Sequence, residues 1–123
     1  MDKLRILVID DQKVIGDLFD FTLGFSGHLV TIFDNASDGL AAVKEKEFDI
    51  VFLDMVMPDM DGPEVLEEIK KLAPGLPVVV MSGYSVEDKK TKARELGAVT
   101  FLKKPFEMDD VKKVIRETLG KDV

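Results

Sequence analysis

Five short apolar runs, each of strand length and each set off from the next by a segment of helical spacing, constrain this chain more than any other feature. They are Leu4–Ile9, Leu29–Phe33, Phe48–Leu53, Pro77–Met81 and Val99–Leu102. Four are rich in Val, Ile, Leu or Phe without polar alternation, the pattern of strands buried on both faces. Leu29–Phe33 includes Thr31, which predicts an edge strand.

The segments between them repeat at the helical period. Val14, Leu18, Phe21 and Phe25 fall near one helix face. Leu40 and Val43 mark a second helix, Val65, Ile69 and Leu72 a third, and Met108, Val111, Ile115 and Leu119 the last. The segment Glu87–Leu96 is mostly charged, with Ala93 and Leu96 as its clearest apolar contacts. Ser85-Val86-Glu87-Asp88 resembles a capping start and Gly97 a helix stop, so it too reads as a helix. Its thin apolar face predicts a loosely packed element that can move. Asp61-Gly62-Pro63-Glu64 is a further helix entry, with Asp61 as cap and Pro63 in the first turn.

Strands alternating with single helices give an α/β domain with a parallel sheet, right-handed crossovers and helices on both faces. Five strands fit the flavodoxin-like open order 2-1-3-4-5, an assignment made by analogy with doubly wound sheets, since periodicity carries no strand order. Residues 1–123 are expected to form one domain, with no internal repeat or linker.

The bulk chemistry narrows the function classes. The chain has no cysteine, which rules out disulfides and thiolate metal sites. Seventeen basic against 24 acidic residues give a net charge of −7, which repels a phosphate backbone and argues against direct DNA or RNA binding. The apolar runs are far shorter than a membrane span, and the N-terminal run lacks the features of a secretory signal. A cytoplasmic protein is expected.

In open α/β sheets, sites form beyond the carboxyl ends of the strands, where the winding reverses. Here the first strand ends in Asp10-Asp11, the third in Asp54, the fourth in Ser82-Gly83 and the fifth in Lys103-Lys104-Pro105. Three carboxylates brought to one spot repel unless some are protonated or a cation joins them. With no Cys and no nearby His, the ligands are hard oxygens, which points to Mg²⁺, with Mn²⁺ or Ca²⁺ as alternatives, rather than Zn²⁺. One or two of the aspartates can bind the ion while another does chemistry. Lys104 adds a mobile positive charge and Ser82 a hydroxyl, which together suit a phosphoryl group whose charge spreads over its oxygens. Asp54 is the candidate nucleophile, forming an acyl phosphate. Taken singly, Asp11 and Asp54 also fit turn or cap roles, Ser82 a turn residue and Lys104 a surface lysine; their shared position at the strand ends favours the joint reading. His28, the only histidine, follows Gly27 at a helix–strand turn and is expected at the surface. Met55, Met57 and Met60 are expected to pack the loop rather than bind a soft metal.

Over essentially the whole length, these residues resemble the receiver domains of two-component response regulators, of the single-domain chemotaxis type. The matching motifs are Val8-Ile9-Asp10-Asp11, the run from Asp54 to Gly62 (DMVMPDMDG), Ser82-Gly83, and Phe101-Leu102-Lys103-Lys104-Pro105. The resemblance implies that Asp54 is the phosphoacceptor. It implies that Asp11 binds Mg²⁺ directly and Asp10 mainly through water, with Asp54 and the Val56 backbone carbonyl completing the protein ligands. Ser82 and Phe101 would be the switch hydroxyl and switch aromatic. Lys104 would pair with the phosphoryl oxygens, next to a cis bond to Pro105. The implied donor is a histidine kinase or phosphotransfer protein, and the implied output is a changed affinity for a downstream protein at the face of the fourth helix, fifth strand and fifth helix. The domain would promote only its own phosphorylation and dephosphorylation. Gly83 replaces the alanine common after the switch hydroxyl. Val56 and Tyr84 occupy positions that tune acyl-phosphate lifetime in the family; an apolar and a bulky residue there predict a fairly long-lived phosphorylated state.

Three rival classes fit less well. An aspartate-nucleophile phosphohydrolase usually carries a second Asp two residues after the nucleophile, where this chain has Val56. A flavodoxin-type cofactor module needs a Ser/Thr/Gly-rich loop after the first strand, where this chain has Asp10-Asp11-Gln12. A receiver that is never phosphorylated would not need Asp54, Ser82 and Lys104 intact.

Overall fold

The computed structural model describes residues 3–83 and 87–123, with the side chains of 87–89 left out of the description. The expectations for Tyr84 and for a cap at 85–88 lie outside the described residues. Strands β1 (Arg5–Ile9), β2 (Leu29–Phe33), β3 (Ile50–Asp54), β4 (Val78–Ser82) and β5 (Thr100–Lys103) alternate with helices α1 (Lys13–Phe19), α2 (Ala36–Glu45), α3 (Gly62–Leu72), α4 (Glu87–Glu95) and α5 (Met108–Leu119). All four strand pairings are parallel and the order is β2-β1-β3-β4-β5, as the flavodoxin-like analogy predicts.

Burial explains the unbroken apolar character of the central strands. β3 and β4 are buried at every position, and β1 at all but Arg5. Their side chains feed two separate cores. Leu7, Ile9, Val51, Leu53, Val78 and Val80 pack on one face with Val65, Leu66 and Ile69 of α3. Ile6, Val8, Ile50, Phe52, Val79 and Met81 pack on the other with Ile15 and Phe19 of α1 and Val111 and Ile115 of α5. β2 is an edge strand, as Thr31 suggested. β5 is the other edge, so the expectation that it is buried on both faces fails: only Leu102 is fully buried in it.

Two other expectations need correction. The face of Val14, Leu18, Phe21 and Phe25 is real but points outward, with Phe21 79% and Phe25 89% exposed. The buried row is Ile15, Phe19 and Leu23. Phe19 decides this, because its ring sits 4.9 Å from that of Phe52 and 6.2 Å from that of Phe106. Past Phe19 the helix widens into a π-helical turn, Asp20–Gly24. His28 is not at the surface. It is only 5% exposed, and its Nδ1 accepts the Leu4 backbone N–H at 3.1 Å. The imidazole thereby ties the α1–β2 turn to the start of β1.

A carboxylate-rich pocket at the sheet switch point

Parallel register carries the polar residues to one edge. Ile9 lies beside Leu53, Asp54 beside Met81, and Ser82 beside Lys103. Asp10 and Asp54 therefore stand level, with Ser82 one residue and Lys104 two residues further along, on four neighbouring strands where β1 is flanked by β2 on one side and β3 on the other. Backbone bonds fix the level of each: Asp10 N–H donates to Phe33 C=O at 3.0 Å, Met55 N–H to Met81 C=O at 2.9 Å, and Lys104 N–H to Ser82 C=O at 2.7 Å.

The loop after Asp54 is built rather than slack. Val56 pairs antiparallel with Asp61, and Gly62 N–H donates to Met55 C=O at 3.1 Å. A Cβ on Gly62 would collide with the Met55 backbone, which explains why glycine stands where the loop turns into α3. Asp61 holds the N-cap position of α3 in extended backbone, but its side chain makes no cap hydrogen bond. Met55 and Met57 are buried in the core, as loop-packing residues should be.

Within the pocket, Asp10, Asp11 and Asp54 each place a carboxylate oxygen within 4.8 Å of the others. Asp10 and Asp54 are 2% and 6% exposed, Ser82 is buried, and Asp11 faces solvent. Asp10 Oδ1 accepts the Gln12 N–H at 2.8 Å, and Asp54 Oδ1 accepts the Val56 N–H at 3.3 Å. The Lys104 ammonium donates to Asp10 Oδ2 at 2.7 Å and to the Gln12 side-chain carbonyl at 2.8 Å, and stands 3.5 Å from Asp54 Oδ2. The Lys104–Pro105 peptide is cis.

Lysine is thus closest to Asp10, not to the candidate nucleophile. The electrostatics agree. Burial, then the neighbouring Asp10 charge, raise the Asp54 carboxyl above the usual range, and Lys104 only partly offsets them. The crowding anticipated from sequence is therefore present, and one ammonium does not neutralise it. A hard cation fits this donor set, since the oxygens converge, no softer ligand accompanies them, and one carboxylate faces solvent where water ligands can enter. A groove of about 800 Å³ opens over the site, lined by Asp11, Gln12, Val14, Leu18, Asp54, Val56 and Lys104 among others.

Every described candidate site residue lies at this edge except Phe101, which is half-buried and packs with the α3-side core. Two participants were missed. Gln12 holds Lys104; its place directly after the paired aspartates was the available signal. Asp59, in the loop after Asp54, accepts Ala36 N–H at 3.0 Å, Ser37 N–H at 3.1 Å and Ser37 Oγ–H at 3.1 Å, so it caps α2 from across the pocket rim. No local pattern marks a cap supplied from 22 residues away.

The fold and the pocket define a class of protein, and comparison with known sequences gives it a family. Residues 6–116 match the response regulator receiver domain, and the chain belongs to that family. It is 36% identical over 119 residues to the transcriptional regulatory protein ZraR of Klebsiella oxytoca, covering 97% of this chain and 27% of that protein. It is 37% identical over 117 residues to FixJ of Bradyrhizobium diazoefficiens, covering 95% of this chain and 57% of that protein. The chain therefore spans about a quarter to just over half the length of these curated relatives. Among solved structures, a CheY-like receiver domain protein from Methanospirillum hungatei superposes with a TM-score of 0.92 at 33% identity, covering 97% of this chain and 95% of that one. NtrX from Brucella abortus gives 0.89 at 36% identity, covering 97% and 27%. Among the described residues no helix is long and apolar enough to cross a membrane.

Proposed function

We propose that residues 1–123 act as one cytoplasmic phosphoacceptor unit in which Asp54 takes a phosphoryl group from the phosphohistidine of a kinase or phosphotransfer protein. The observation that carries this reading is the convergence of three carboxylates, two of them beside the Lys104 ammonium, with Asp54 opening into a groove. An Asp54 oxygen attacks phosphorus in line. The P–N bond breaks, its electron pair returns to the donor imidazole, and an acyl phosphate forms on Asp54. Lys104 can leave Asp10 for the incoming phosphoryl oxygens, since its 3.5 Å separation from Asp54 needs little travel. Asp10 and Asp11, with Asp54 and the Val56 carbonyl, would hold Mg²⁺ or, less selectively, Mn²⁺. The ion supplies positive charge to the transferred oxygens and to the crowded carboxylates. Val56, exposed beside the nucleophile, and Tyr84 would slow water attack and lengthen the life of the acyl phosphate.

The donor must seat beside this groove. Val14 and Leu18 line it, and the exposed row continues through Phe21 to Phe25. The 4-3-4 spacing is that of a seam between packed helices. Beside this row Asp20 adds a negative charge, while Asp17 is already paired with Lys13 at 2.9 Å. Phosphorylation would draw in Ser82, turn Phe101 and alter the α4–β5–α5 face for a downstream protein.

Intact-mass analysis after incubation with acetyl phosphate and Mg²⁺ tests the chemistry. One added phosphoryl group is expected on the wild-type chain and none on Asp54→Asn. The same mass gain in both would place the chemistry elsewhere, and turnover of free phosphomonoesters would favour a phosphohydrolase.

A further inference from the structure

The guanidinium of Arg94 lies over the ring of Phe101, its carbon 5.1 Å from the ring centroid. That is within the range at which a cation is held by an aromatic face. Backbone bonds position both residues. Arg94 sits in the last turn of α4, where Ala98 N–H donates to Ala93 C=O at 3.0 Å and Gly97 N–H to Arg94 C=O at 3.1 Å. Gly97, at φ +102, makes the turn that returns the chain to β5. Phe101 lies beside Val80 in the sheet, two residues before the level of Ser82.

What surrounds this contact gives it weight. α4 is thinly attached: of its described side chains only Ala93 is buried, with Leu96 half-buried just beyond its end. The contact with the Phe101 ring in β5 adds to the few side-chain contacts that hold the C-terminal end of α4. In the proposed switch Phe101 rotates toward the pocket, which would turn its ring face away from Arg94.

We infer that Arg94 is a positioning residue, a latch that holds Phe101 in its resting orientation and opposes the phosphorylated state. The inference rests on the proposed function of Asp54 and deepens it, by naming a residue on α4 that sets how readily the switch turns. Breaking the latch also frees the guanidinium at the very face offered to a downstream partner.

Calorimetric titration with beryllofluoride at fixed Mg²⁺ tests this on the full chain, in wild type, Arg94→Gln and Arg94→Lys, each with Phe101 and with Phe101→Leu. Losing an exposed cation–ring contact is expected to tighten beryllofluoride binding roughly two- to fivefold in Arg94→Gln. Arg94→Lys, which keeps a cation over the ring, should restore most of the wild-type affinity. With Phe101→Leu, Arg94→Gln should be silent. Unchanged or weaker binding in Arg94→Gln overturns the latch, as does an effect that persists without the ring. Failure of the unsubstituted chain to bind beryllofluoride would overturn the function beneath it, and is seen before any variant is compared.

Discussion

At the scale of single residues, the pocket and the buried histidine follow the same rule: a polar group inside the fold is defined by what it is bonded to. His28 can accept from Leu4 N–H only as the neutral imidazole, and burial lowers its pKa. The neutral ring's proton is therefore on Nε2, which has no hydrogen-bond partner among the described residues, and a second proton could enter only at Nδ1, where it would break the bond from Leu4. The sign follows from linkage. A histidine whose folded pKa is depressed contributes fully above its unfolded value of about 6.5, and stability falls as pH drops below that value. The urea midpoint of the wild-type chain is expected to fall between pH 7.5 and 5.5. His28→Asn keeps an acceptor without titrating, and should show a shallower fall; an identical pH profile would mean that His28 does not carry the dependence. Sequence misplaced this residue because a histidine beside a glycine in a turn looks exposed, and its partner lies 24 positions away. The acidic pocket was legible for the opposite reason. Each of its members closes an apolar run, so the strand ends mark them out one by one.

At the scale of elements, α1 shows what periodicity can and cannot decide. Two apolar rows run along it, and spacing alone does not say which one faces the sheet. The ring contacts of Phe19 do. Phe19→Ala is expected to cost about 3–5 kcal/mol, the range for emptying a large buried aromatic site, read from denaturant unfolding. Phe21→Ala should leave stability nearly unchanged. If the exposed row seats the donor, Phe21→Ala slows transfer from a phosphorylated protein donor but not from acetyl phosphate. Equal slowing with both donors would remove the docking role. The cap on α2 is a second case. Asn35 caps the helix locally, its side chain accepting Asp38 N–H, while Asp59 satisfies two further N–H groups from the loop after Asp54. These bonds hold the Asp59 carboxyl below its usual pKa, so its contribution is present above the unfolded value of about 3.9 and is lost as pH falls through the folded one. Asp59→Ala is expected to lower the thermal midpoint at pH 7 and to do so much less in acid. A variant as stable as wild type at pH 7 would show that Asn35 suffices. Strand lengths and helix stops were readable because Gly, Pro and Asp punctuate them; this cap was not, because it is tertiary.

At the scale of the whole molecule, the fold gathers an unfavourable cluster of charge at one sheet edge through strand register, with Lys104 bonded to Asp10 as a partial counter-charge. Two apolar cores grip the sheet from both faces, and the carboxylates stand just beyond them. The alternation of runs in the sequence made this architecture legible, and the order of strands came by analogy until the register was known. What sequence did not reveal is the resting arrangement of the site, in which Lys104 bonds Asp10 and Gln12 and Asp54 is left with a raised pKa. On the proposed function that arrangement would receive a cation and a phosphoryl group, and the central claim is that the group lands on Asp54. Borohydride reduction of the chain after treatment with acetyl phosphate and Mg²⁺, followed by peptide mapping, reads the acceptor directly, because an aspartyl phosphate is reduced to homoserine. The account predicts homoserine at position 54 alone; homoserine at 10 or 11, or at no position in a chain that has gained phosphoryl mass, would contradict it.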